Sequence, residues 1–218
     1  MAITKYNSSD QSNTTSVYER AEIISSPAEA KKLLVEGNER LTSGKILAKD
    51  LSSAERTDLA NNGQHPFAVI VSCSDSRVPP ELLFDQDLGD LFVVRIAGNV
   101  ITPVELGRVE YAVEHLKAPL VVVLGHEKCG AVTAAVEGGE FTAGIEAIVD
   151  KIKPAVDTAK SSGATAEDLI EKSADLNVEN ALQDISNSEV IKQALEAKHL
   201  ELTGAKYDLV SGTVAWFN

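Results

Sequence analysis

Apolar residues follow two rhythms along the 218-residue chain, and the switches between them mark out its elements. Short unbroken runs rich in valine, at residues 67–72, 91–97 and 120–124, have the length and β-branching of buried strands. Elsewhere the apolar positions recur at helical spacing. Ala30, Leu33, Leu34 and Leu41 share one face behind Ser26-Pro27-Ala28-Glu29, where Ser26 caps, Pro27 suits the first helical position and Glu29 can reach back. Ser52 with Glu55 opens a short helix that Gly63 closes, and residues 81–84 predict another. Thr102-Pro103-Val104-Glu105 caps a helix running to about Lys117, with Leu106, Val109, Val113 and Leu116 on its inner face.

Residues 141–202 read as helical throughout. Ile145, Ile148, Val149 and Ile152 form one stripe, and Pro154 is expected to kink or break it. Thr165 with Asp168, and Ser188, look like N-caps, and Gly204 looks like the stop. From Tyr207 the tail predicts two short strands around a Ser211-Gly212 turn. The alternation predicts an α/β fold: a mostly parallel central β-sheet flanked by helices, with an N-terminal helical arm and a C-terminal helical block. Residues 1–25 read as a flexible arm, disordered or packed onto a neighbour, and residues 26–218 as a single domain.

Composition narrows the classes. An apolar fraction of 44% and a charged fraction of 24% fit a soluble globular protein. No stretch approaches the roughly 20 apolar residues that span a bilayer, so no membrane partner is expected. A formal charge of −13 lacks the basic face that nucleic acid requires. The first ten residues show no export pattern, which makes a cytoplasmic location the expectation. In that compartment the two cysteines are expected as thiols or metal ligands, with a disulfide or redox pair as the open alternative.

Those cysteines sit where chemistry is expected. Cys73 ends the first apolar run, and His126 and Cys129 follow the third. Parallel sheets bind ligands at the carboxyl ends of their strands, so neighbouring strands would bring the three together. Two thiolates and one imidazole suit Zn²⁺ and leave a fourth position for water or substrate. The bland alternative makes both cysteines small buried hydrophobes and His126 a satisfied loop histidine. Asp75 and Arg77 flank Cys73. A guanidinium keeps a carboxylate ionised and oriented, ready to accept from bound water or to ligate the metal, whereas a plain surface pair would contribute little. His115 and His199 fall on helices as solvated residues, and His65 is placed to move protons.

Longer motifs carry a resemblance. Cys73-Ser-Asp-Ser-Arg-Val-Pro-Pro, then Gly89-Asp-Leu-Phe-Val-Val-Arg-Ile-Ala-Gly-Asn99, then Glu110-Tyr-Ala-Val-Glu-His-Leu, then Gly125-His-Glu-Lys-Cys-Gly130 resemble the β-class carbonic anhydrases, in order and nearly continuously over residues 66–132. Weaker echoes lie in Gly37-Asn38-Glu39-Arg40 and the Tyr207-Asp-Leu tail. The resemblance implies Zn²⁺ on Cys73, His126 and Cys129, making 26–218 a zinc-binding domain that hydrates CO2 reversibly to bicarbonate and a proton by zinc-bound hydroxide. It implies an Asp75–Arg77 dyad that orients this hydroxide, or opens so that Asp75 becomes a fourth ligand. Gln64 matches a glutamine that holds bicarbonate, and Phe92 and Tyr111 match aromatic pocket residues of the open-site subclass. The family assembles its sites across a dimer, so Gln64 and Phe92 would come from a neighbouring subunit of a dimer or dimer of dimers.

Two departures from the family pattern matter. Ile70 stands where the closed-site subclass carries a tryptophan in a noncatalytic bicarbonate site, whose other members are matched by Arg95 and Tyr111, so an open site is expected. Ala97 stands at a spot that is bulkier in many relatives. Apolar walls including Phe92 and Val100 suit a small nonpolar substrate. Rival readings keep the zinc. One is a hydrolase of carbonyl sulfide or carbon disulfide on the same fold, the other a non-catalytic, zinc-stabilised oligomeric module.

Overall fold

The structure, a computed structural model, describes residues 16, 18–166 and 168–217. Its centre is a five-stranded sheet in the order β2-β1-β3-β4-β5. Strands β1 (Ala68–Ser72), β2 (Leu91–Arg95), β3 (Leu120–His126) and β4 (Glu201–Tyr207) run parallel, and β5 (Val214–Trp216) runs antiparallel to β4. Every residue of β1 and β3 is buried, as expected of strands covered on both faces. Alternation along these strands divides the core in two. Ala68, Ile70, Leu120, Val122 and Leu124 pack on one side with Leu34, Phe84, Val149 and Ile152. Val69, Val71, Val121 and Val123 pack on the other with Val109, Val113, Val178 and Ile191. Each such valine, leucine, isoleucine or phenylalanine side chain contributes roughly 1.5–3 kcal/mol by leaving water.

Four helices begin where their capping residues predict, whereas Thr165 caps none: the helix after it starts at Leu169, behind an Asp168 that makes no side-chain cap bond. Ser26 Oγ accepts from Glu29 N ahead of α1 (Pro27–Thr42), and Ser52 Oγ does the same for Glu55 N ahead of α2 (Ser53–Asn62), which Gly63 closes. After the short α3 (Pro80–Leu83), Thr102 and Glu105 form a capping box on α4 (Pro103–Glu114). The later helices are α5 (Gly130–Glu137), α6 (Ala143–Ser161), α7 (Leu169–Ser186) and α8 (Glu189–Glu196), the last capped by Ser188. Asn38 ties α1 to the C-terminal hairpin. Its Nδ2 donates to the carbonyls of Leu83 and Gly212, and its Oδ1 accepts from Val214 N.

Several expectations needed correction. The helical block stops at α8, because residues from Glu201 onward form β4, a strand in the core of the sheet. Gly204 lies inside that strand and ends no helix. A Cβ there would meet Val178 Cγ1 at 2.9 Å, and one on Gly125 in β3 would meet Val178 Cγ2 at 2.6 Å. The two glycines let α7 press close against neighbouring strands, a tertiary demand that residue type alone reads as a turn. Pro154 does not break α6, which runs through it. Helix α5, absent from the sequence reading, begins directly after Cys129.

Of the expected arm, residues 1–15 and 17 lie outside the described residues. Its remainder is held on the domain. Tyr18 N donates to Ala48 O, Tyr18 Oη donates to Gln86 Oε1 at 2.6 Å, and Arg20 Nε pairs with Asp90 Oδ1 at 2.5 Å. No described helix is long and apolar enough to cross a membrane.

Candidate active site

Parallel neighbours β1 and β3 deliver their chemistry to one edge of the sheet. Cys73 follows the last residue of β1, His126 is the last residue of β3, and Cys129 caps α5 a short turn later. All three are buried, and their ligating atoms lie within 4.8 Å of one another. The two sulfurs are 4.0 Å apart and unbonded. That separation is close to the ~3.8 Å expected between thiolates sharing one tetrahedral zinc with Zn–S near ~2.3 Å.

The His126 ring is oriented by its own loop. Its Nδ1 lies 2.8 Å from the Glu127 carbonyl, which can only accept, so Nδ1 carries the proton. Nε2 is buried without a partner and faces the site as a lone pair. A buried imidazole nitrogen with no protein partner, beside two thiols, is a donor set that suits a metal ion.

The electrostatics favour anionic sulfur. The Cys129 thiol donating towards it holds the Cys73 thiol well below the ordinary range, with further help from His126 and from Gly98 N at 3.3 Å. Cys129 is pushed up by the same contact with Cys73 and by burial, while the backbone amides of Ala131 and Val132 at the start of α5 pull the other way. One negative charge is thus shared across the pair, and a divalent cation would hold both thiolates. Burial works against a charged His126 ring, yet contact with the Cys73 sulfur outweighs it and raises the ring's pKa.

Beside this trio stands the dyad. Arg77 Nε and Nη2 donate to the two oxygens of Asp75 at 2.9 and 2.7 Å, and Arg77 N adds a third bond at 2.9 Å. The Arg77 side chain beside it lowers the Asp75 carboxyl to about 2, so it stays ionised. Arg77 also reaches Lys128 O at 3.3 Å, joining the Cys73 loop to the loop between His126 and Cys129. A further brace, in a role the sequence did not suggest, is Arg95. Its Nε donates to Cys73 O at 3.0 Å and its Nη2 to Asp75 O.

The remaining expected residues lie elsewhere in the chain. Gln64 precedes β1, at the opposite end of that strand from Cys73, and lines a cleft with Ile23, Pro66, His115 and Leu116. Phe92 on edge strand β2 stacks against Tyr111 with ring centroids 6.1 Å apart, and Tyr111 lies 5.2 Å from His115. This places Tyr111 on the face of the sheet opposite Ile70, so Ile70, Arg95 and Tyr111 form no common site within the chain. The tyrosine that shares the Ile70 core is Tyr207, paired in register with His126. Alternation along β1 and β4 held that signal.

Comparison with known proteins agrees with this geometry. Residues 68–214 match the family model described as carbonic anhydrase. The chain is 41% identical over 194 residues to the carbonic anhydrase of Mycolicibacterium smegmatis, covering 87% of this chain and 93% of that one. It is 40% identical over 190 residues to carbonic anhydrase 2 of Mycobacterium tuberculosis, covering 85% and 90%. Among solved structures, a tetrameric β-carbonic anhydrase of Sordaria macrospora superposes with a TM-score of 0.70 at 26% identity, over 76% of this chain and 87% of that one. A β-carbonic anhydrase of Aspergillus fumigatus gives 0.68 at 30% identity, over 76% and 83%. Family model, relatives and fold converge: this chain belongs to the β-class carbonic anhydrases, and its activity is the reversible hydration of CO2 to bicarbonate and a proton.

Proposed function

We propose that Cys73, His126 and Cys129 hold a zinc ion and that Asp75, Arg77 and Gln64 direct the hydration of CO2 beside it. The observation that carries this reading is the buried, unpartnered Nε2 of His126 within 4.8 Å of two sulfurs. When bound, zinc supplies a Lewis acid that makes water acidic near neutral pH, less strongly with two thiolates than with neutral ligands. Three protein ligands leave one position open for that chemistry.

The chain's own residues do the directing. Asp75 keeps its charge because Arg77 engages both of its oxygens, so it acts as an oriented acceptor for the attacking O–H. With those oxygens committed to Arg77, the open arrangement is favoured over one in which Asp75 ligates the metal. Bicarbonate carries a negative charge that the Gln64 amide suits as a donor. Gln64 lies at the far end of β1 from Cys73 of its own chain, which supports a site completed by the partner in a dimer or larger assembly. Phe92 lies on β2, an edge strand of the sheet, which is compatible with contact to such a partner. Val100, buried just past the turn that carries Gly98, supports an apolar pocket wall.

The test is stopped-flow hydration of CO2 by the zinc-replete full chain, run beside hydrolysis of carbonyl sulfide. Fast hydration with little sulfide turnover is expected. A chain that holds zinc but hydrates no CO2 contradicts this reading.

A further inference from the structure

We propose that α7, which contributes no metal ligand, sets how tightly the zinc is held, with Glu171 and Asn177 as positioning residues on two different ligand loops. The inference rests on the zinc reading above and gives a role to a helix that carries none of the recognisable motifs.

Glu171 holds the loop between His126 and Cys129. Its Oε1 accepts the backbone N–H of Lys128 at 2.9 Å. Lys128 sits between the two ligands with φ at 50°, in the left-handed region that costs a non-glycine residue of order 1 kcal/mol or more unless something holds it there. The other oxygen of Glu171 is paired with Lys206 Nζ at 2.8 Å, and Lys206 also pairs with Asp175 Oδ1 at 2.8 Å. Lys206 lies on β4 opposite Gly125, the residue before His126. The carboxylate is therefore anchored to the sheet on one side and grips the ligand loop with the other.

Asn177 holds the second loop. Only 2% exposed, it donates from Nδ2 to Gly98 O at 2.7 Å. Gly98, with φ at 68°, in turn donates its N–H to Cys73 Sγ at 3.3 Å. Fixing the Gly98 carbonyl holds the peptide plane that follows Gly98 and so restrains the turn whose preceding plane carries that N–H, which favours the thiolate form that a metal requires. Contact of Val178 with Gly125 and Gly204 sets the depth at which α7 lies, so both polar residues reach their partners from one rigid element.

The test follows zinc release from the loaded full chain into excess chromophoric chelator, with melting temperature measured alongside. Glu171→Ala is expected to release zinc about 10-fold or more faster, the usual scale for losing an outer-shell partner. Glu171→Gln, which keeps an acceptor oxygen for Lys128 N–H, should stay near the parent rate. Lys206→Met breaks the ion pair yet leaves a carboxylate on Lys128, so it should lower the melting temperature without matching the faster release. Asn177→Ala should release zinc faster too, and if it does not fold the Glu171 variants decide alone. Equal release from parent and Glu171→Ala overturns the inference, as does Lys206→Met matching Glu171→Ala. A parent without zinc removes the underlying metal reading together with it.

Discussion

Arg77 grips Asp75 through both carboxylate oxygens and reaches across to the Lys128 carbonyl, so one guanidinium joins the Cys73 loop to the His126–Cys129 loop. Asp75 is thereby fixed as an ionised acceptor next to Cys73, His126 and Cys129. Asp75→Asn removes the charge and slackens that grip. It should lower kcat/KM about 100-fold, the scale of a misplaced reacting group, while zinc content stays at the parent level. Arg77→Lys, which cannot make the bidentate fork, should fall between the two. An Asp75→Asn enzyme with the parent rate contradicts the role.

The pH dependence follows from the same pair. Asp75 has a depressed folded pKa, about 2 against an ordinary ~3.9, so its charged form is complete above the ordinary value and is lost only as pH falls through about 2. A nearby cation acts in the same direction. Between pH 6 and 9 Asp75 does not titrate, and any limb in kcat/KM belongs to another group. Asp75→Asn should therefore keep a limb in that window. A profile flattened by the substitution would make Asp75 the titrating group.

Gln64 should act in trans. Gln64→Ala alone should weaken catalysis and leave zinc in place, whereas Cys129→Ser alone should lose both, a neutral hydroxyl being a poor zinc ligand. Co-expressed, the two variants should form mixed dimers in which a zinc-bearing Gln64→Ala chain meets an intact Gln64 from its partner. Activity per zinc should then rise above that of Gln64→Ala alone. No rise would place Gln64 outside the site.

The Asn38 clamp bears on stability and not on chemistry. It makes three hydrogen bonds to backbone groups of Leu83, Gly212 and Val214 while itself buried. Asn38→Ala strands those groups and should cost about 2–3 kcal/mol, a fall of roughly 5 °C or more in melting temperature. Calorimetry of the parent and variant checks it, and an unchanged melting temperature would show the clamp to be dispensable.

Much of this was legible in the sequence, for a physical reason. Strands β1 and β3 are buried on both faces, so they appear as unbroken apolar runs, and the candidate metal-binding residues sit at their ends where the pattern stops. Cys73, Asp75, Arg77, His126 and Cys129 are thus marked by local sequence alone. Gly204 misled because its cause is Val178 on a distant helix, and glycine within a strand looks like a turn when its neighbour is unknown. Glu171 and Asn177 were invisible for a related reason. Helical periodicity separates an apolar face from a polar one, but it does not say which polar side chain meets a loop dozens of residues away. Arg95 was read from the resemblance as part of an anion site, whereas in the chain it braces the carbonyls of Cys73 and Asp75.

Zinc content of the full chain purified without chelators tests the central claim most directly, with Cys129→Ser measured alongside. About one zinc per parent chain and almost none in the variant is the predicted result. A parent chain without zinc, or a variant that keeps it, contradicts the account.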